Sequence, residues 1–221
     1  MSKTCFQINK ERDFLYRGQA YTPPAPSYLS FLTCTKGARQ NSTAYSLNDT
    51  IALVPTGKTR LQLYKCTTAG TTAASQGALY PGVVAEVIAD GSAVFTEQST
   101  ALLNTSSSGI PAAAVEPSIG TGNYARQAMT NSLAGVNATQ GGTGSSSTGT
   151  SGNVSNATTI TWGSPSSNWA SSPVGIWAVA RFDQASGGNL LEVCPDTTVR
   201  NVASGDQAPI INAAALVFNE A

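Results

Sequence analysis

Histidine, the side chain most often used for proton transfer in enzymes, is absent from all 221 residues. Its absence removes Ser-His-Asp triads, imidazole general bases and imidazole metal ligands together. The 12 acidic residues run from Glu11 and Asp13 to Asp206 and Glu220. They are scattered, mostly at expected turns and strand ends, where a solvated carboxylate is the default. No two of them stand out as the facing carboxylates in an aromatic cleft that glycoside hydrolysis requires. Cys5, Cys34, Cys66 and Cys194 lack the short spacings of paired zinc ligands. Buried free thiols are expected of them, with disulfides formed outside a reducing compartment as the alternative. Gly141-Gly142-Thr143-Gly144 lacks both the Gly-Lys-Ser/Thr ending and the preceding strand of a phosphate loop. No catalytic residue, cofactor site or metal site is assigned, and the chain reads as a non-enzyme.

Recognition chemistry remains. Arg126 lies in Tyr124-Ala125-Arg126-Gln127 on a predicted strand. An arginine placed there would pair with a carboxylate across a subunit interface, and the competing reading is an ordinary exposed strand arginine.

The elements that must hold these residues are mainly strands. Asn9 to Arg17 reads as one short helix, with Asn9 as its cap and Gly18 ending it. Three prolines between Tyr21 and Pro26 enforce an extended segment. Ser27–Thr35 then reads as a largely buried strand. From Ala44 to Gln98 the chain follows a grammar of its own. Strands are expected over 50–55, 61–67, 83–89 and 92–96, with Asp90-Gly91 as a tight hairpin signal. Residues 99–121 read as a connector and 123–130 as a strand. The nearly pure Gly/Ser/Thr/Asn stretch 139–159 reads as a flexible loop. Later strands are expected over 157–162, 174–181, 190–193 and 213–218, with the apolar run Ile176–Ala180 at the centre of the core.

Composition bounds the partners. Hydrophobic residues make up 41% of the chain, which suits a folded core. Charged residues make up 11%, against about 25% in average domains. Lys plus Arg equals Asp plus Glu at 12 each, so no basic footprint for nucleic acid and no polybasic membrane patch is present. Zero net charge favours association and fits a permanently assembled protein. No apolar run reaches transmembrane length, and the N-terminus lacks a secretory pattern, so synthesis in a cytoplasm is expected.

Gly18 to Thr33, together with Gly122–Gln127, Gly175-Ile176-Trp177, Gly187–Leu191 and Ser204-Gly205-Asp206, resembles a family of small tailed-bacteriophage virion proteins, tail-fibre-like or head-decoration-like. The resemblance implies an all-β, antiparallel β-sandwich, jelly-roll-like, with a short N-terminal helix. Residues 1–43 and 122–221 would form the sandwich, 44–98 an inserted small β module, and 99–121 a connector. The module is similar to chitin- and cellulose-binding modules over Leu63–Thr71, Leu79–Gly82 and Val87–Phe95. That similarity makes Tyr45 and Tyr80 the candidate glycan contacts.

The resemblance further implies a non-enzymatic structural protein on the virion exterior. A homo-oligomer is expected, with a trimer among its candidate symmetries, and Tyr124, Arg126 and Gln127 at the subunit interface. Capsid decoration or cementing leads, with a tail-fibre, collar or baseplate component as the alternative. A carbohydrate-binding adhesin acting through 44–98 is a third reading. The expected partners are further copies of the chain, major capsid or tail proteins, and a host surface glycan, with no nucleic acid and no membrane.

Overall fold

The computed structural model describes residues 2–76, 86–103 and 115–219. In chain order, β1 (Ser2–Lys3) leads into α1 (Cys5–Arg17), and β2 (Ser27–Cys34) follows the proline segment. The next stretch supplies β3 (Ala44–Tyr45), β4 (Thr50–Leu53), β5 (Gln62–Thr68), β6 (Gly70–Thr71), β7 (Val87–Asp90) and β8 (Ala93–Glu97). A short helix α2 (Ser99–Leu103) precedes β9 (Gln127–Met129), β10 (Val136–Asn137), β11 (Asn153–Asn156) and β12 (Ile160–Thr161). The chain closes with β13 (Gly175–Phe182), β14 (Leu190–Arg200), β15 (Ile210–Ile211) and β16 (Val217–Asn219).

The fold is an all-β sandwich built on a five-stranded sheet in the order β1-β14-β13-β2-β9, with every ladder antiparallel. The expected core strand is its centre. Ile176 and Val179 of β13 face one apolar layer, while Trp177, Ala178, Ala180 and Phe182 face the other. A register shift between Ile176 and Ala178 lets Trp177 and Ala178 share a face. Burial on both faces explains why this strand is almost wholly apolar.

On the first face, Leu32, Trp177 and Phe182 join Ala52, Leu61, Leu63 and Leu102 in one cluster. The four-stranded sheet β4-β5-β8-β7 is thereby built against the central sheet. Its other face has a core of its own, where Ile51, Leu53, Tyr64, Cys66 and Phe95 meet. The second face of the central sheet carries an aromatic group. Phe31 stacks on Trp162 at 4.4 Å, and Tyr124 meets Trp169 edge-on at 5.1 Å. The three-stranded sheet β10-β11-β16 and the pair β12-β15 lie on this side, contributing Phe218, Ile160 and Ile211 to the layer.

Three local expectations are corrected. Helix α1 starts at Cys5, with Thr4 rather than Asn9 as its cap. Thr4 Oγ1 accepts from the Gln7 amide and also donates to the Leu190 carbonyl at 2.8 Å, so one threonine caps the helix and ties it to β14. Gly18 ends the helix as expected, in the left-handed region at φ 64°. The strand expected over 123–130 is confined to β9, because Tyr124 turns into the core ahead of it. Part of the expected loop 139–159 forms β11, and the Gln140 side chain accepts from the Thr148 amide across the preceding turn. The Asp90-Gly91 hairpin forms as read. Gly91 has φ 66°, and a Cβ there would run into the Thr71 carbonyl.

Candidate functional site

Arg126 sits inside the protomer, its side chain 0% exposed. Its Nε and Nη2 donate to the two oxygens of Glu116 at 2.8 and 2.7 Å. Its Nη1 donates to the Gln184 and Gly187 carbonyls at 2.7 and 2.8 Å. The guanidinium also lies 3.6 Å from the centre of the Phe182 ring. One arginine thus fastens the β13–β14 turn to the segment after residue 114 and to β9. Glu116 accepts a further bond from Ser30 Oγ at 2.6 Å, and the Tyr124 hydroxyl lies 2.8 Å from Ser30 Oγ. Burial, reinforced by the Glu116 charge, pushes the Tyr124 phenol well above its ordinary range. Tyr124 and Arg126 therefore spend their polar groups within one copy of the chain. Gln127 is half-buried on β9, at the edge of the central sheet, and donates to the Ala125 carbonyl.

Tyr45 is 3% exposed and packs edge-on to Phe95, with its hydroxyl accepting from the Gln40 amide at 2.9 Å. It fills the core of the four-stranded sheet, where a sugar ring does not reach. Tyr80 lies outside the described residues.

The expectation of solvated carboxylates is corrected at several positions. Asp90 is wholly buried and takes Arg39 Nε and Nη2 at 2.6 and 2.9 Å, together with the Ala73 amide. Glu97 is buried at the start of α2 and accepts from the Thr100 amide. Glu192 is buried beside Arg181 at 2.9 Å. For Asp90 the partner is one the local sequence does not announce, since Arg39 precedes it by 51 positions.

Among the described residues two outward-facing features stand out. The first is the far end of α1, where Phe14, Leu15 and Tyr16 are 54, 66 and 81% exposed. Gln7 is the one fully buried side chain of that helix. The second is a cleft of about 560 Å³ between the central sheet and β10-β11-β16. Lys3, Glu192 and Arg181 stand in its wall on adjacent strands, and Glu11 of α1 joins them through Lys3 Nζ at 2.8 Å. Phe218 and Val154 line it as well. The cysteines are free thiols: Cys34 and Cys66 are buried, Cys5 and Cys194 half-buried. Burial pushes the Cys34 thiol up to about 12.

Matched against known protein families, residues 86–219 fit the one described as Podophage GP4 fiber I protein gp80. The match covers more than half of the chain. The chain belongs to this family. The gp80 fibre family is one of phage virion proteins, so the virion resemblance read from the sequence stands. Its matched region begins just before β7 and takes in β7 to β16, including Arg126, Glu116 and most of the outer cleft. Among curated proteins, none matches the chain.

Proposed function

We propose that the chain is a non-enzymatic structural protein of the podophage virion exterior, working as a homo-oligomer seated on other virion proteins. The observation that carries this reading is the exposed run Phe14-Leu15-Tyr16. Large apolar side chains exposed together around the end of a helix, as these consecutive positions are at about 100° steps, mark an interaction surface. A helix of 13 residues is marginal in water unless packing supports it, and α1 buries little of itself in the protomer. Covering these side chains would contribute up to about 1.5–3 kcal/mol each. Zero net charge adds no long-range repulsion between copies.

Membership in the gp80 fibre family supports placement with the tail fibres over capsid decoration. The sandwich of 1–43 and 122–221 would carry 44–98 as an inserted module, supported by the separate apolar core of the four-stranded sheet. Labelling intact particles with gold-conjugated antibody against residues 86–219 tests the placement. Gold at the tail supports a fibre component, gold over the heads supports decoration, and particles without gold would sink both. The assembly surface is tested separately by Phe14→Ser combined with Tyr16→Ser. Light scattering after size exclusion should show a loss of oligomer mass with the β-sheet signal intact.

A further inference from the structure

We infer that the cleft between the central sheet and β10-β11-β16 binds a neutral, hydroxyl-rich ligand, the end of an oligosaccharide chain. Lys3 is the ladder partner of Glu192, and Glu192 is the ladder partner of Arg181, so the three side chains form a row across β1, β14 and β13. Arg181 Nε donates to Glu192 at 2.9 Å, and Lys3 Nζ donates to Glu11 at 2.8 Å. Two cations and two anions leave this wall without net charge. A charged ligand would meet a like charge beside every opposite one. A hydroxyl group donates and accepts at once, so it can bridge a carboxylate and a guanidinium while displacing neither.

Apolar surface for the other half of a sugar ring adjoins this row. Phe218 lies with its centroid 5.4 Å from the Arg181 guanidinium carbon, and Val154 is its ladder partner. Together they place apolar surface beside the polar row, in contact with its Arg181 end, which is the mixture small-ligand clefts show. Asn131, Ser132 and Thr139 add amide and hydroxyl groups to the lining. The volume of about 560 Å³ lies within the ~300–1,000 Å³ range of such clefts. The ionic groups are already held by one another, so little side-chain freedom remains to be lost on binding. The inference holds whether the protein sits on the head or the tail.

The test applies the full-length protein to an array of glycans ending in neutral hexoses and N-acetylhexosamines, with sialylated and uronate-bearing glycans alongside. Binding to at least one neutral class is expected. It should weaken about tenfold or more in Phe218→Ala and disappear in Ser132→Trp. Ser132 is exposed, so that variant blocks the cleft while leaving both ion pairs in place. Melting curves verify that both variants fold. Silence from every neutral glycan, preference for the charged ones, or unchanged binding by Ser132→Trp would overturn the inference. A change of oligomer mass in Ser132→Trp without glycan binding would also overturn it, and would give the cleft to a neighbouring chain.

Discussion

Arg126 and Glu116 face each other as two planar forks, joined by hydrogen bonds of 2.8 and 2.7 Å in a site closed to water. The pair lies where three stretches distant in sequence meet: the segment after residue 114, the approach to β9 and the β13–β14 turn. Its geometry is the bidentate one in which arginine differs from lysine.

Removing one member should therefore cost more than removing both. Arg126→Ala leaves the Glu116 carboxylate buried without its counter-charge, a loss of about 3–5 kcal/mol. For a chain of this length that lowers the melting temperature by roughly 6–20 °C. Arg126→Met combined with Glu116→Gln should recover part of the loss. Calorimetry on Arg126→Met, Glu116→Gln and the double variant measures the coupling directly, and simple additivity would mean that the pair does not act as a unit.

Alkali should unfold the protein earlier than a count of its apolar contacts suggests. Burial raises the phenols of Tyr45, Tyr64 and Tyr124 above the ordinary value of 10.0. The folded state holds these protons where the unfolded chain releases them. Their stabilising contribution is thus full below pH 10.0 and declines as pH rises above it, towards the raised folded values. Tyrosinate absorbance near 295 nm should show a late stage coupled to unfolding. Tyr45, Tyr64 and Tyr124 should ionise together with the loss of the near-ultraviolet circular dichroism signal. Ionisation of all tyrosines in one stage with the fold intact would contradict their burial.

Strands with strong alternation or a solid apolar run were legible in the sequence. β2 and β13 were found within a residue or so because their side chains are buried on both faces. The Gly91 turn and the Gly18 helix end were legible because a positive φ selects glycine. Thr4 was missed as a cap because its second partner is the carbonyl of Leu190, 186 positions away. The acids failed for the same reason: an isolated Asp90 or Glu116 looks solvated until the fold delivers its arginine. The outer cleft had no local signal at all, since Lys3, Glu192 and Arg181 become a row only through the β1-β14-β13 register.

The Asp90-Gly91 turn offers a backbone test. Gly91→Ala places a methyl group against the Thr71 carbonyl while keeping φ at 66°. Strain of this kind costs about 1–3 kcal/mol. Chemical denaturation should show a lower midpoint, whereas Gly57→Ala, also at positive φ but with open space around its Cβ, should cost less. Equal losses would leave backbone conformation alone as the cause.

Thiol reactivity should divide the four cysteines two against two. Cys34 is sealed under the central sheet, its Sγ within 3.4 Å of the Gly37 and Gly175 carbonyls. Burial, only partly offset by those contacts, raises it to about 12, so almost no thiolate exists near neutral pH. Cys66 is likewise buried and raised, first by burial and then by the charge of Asp49. Cys5 and Cys194 are half-buried and reachable. A disulfide reagent at pH 8 should consume about two thiols quickly in the native protein and the other two only after denaturant is added. Mass spectrometry of the digested adduct should find the label on Cys5 and Cys194. Early labelling of Cys34 would mean that the sheet opens at β2, the strand on which both faces of the sandwich core depend.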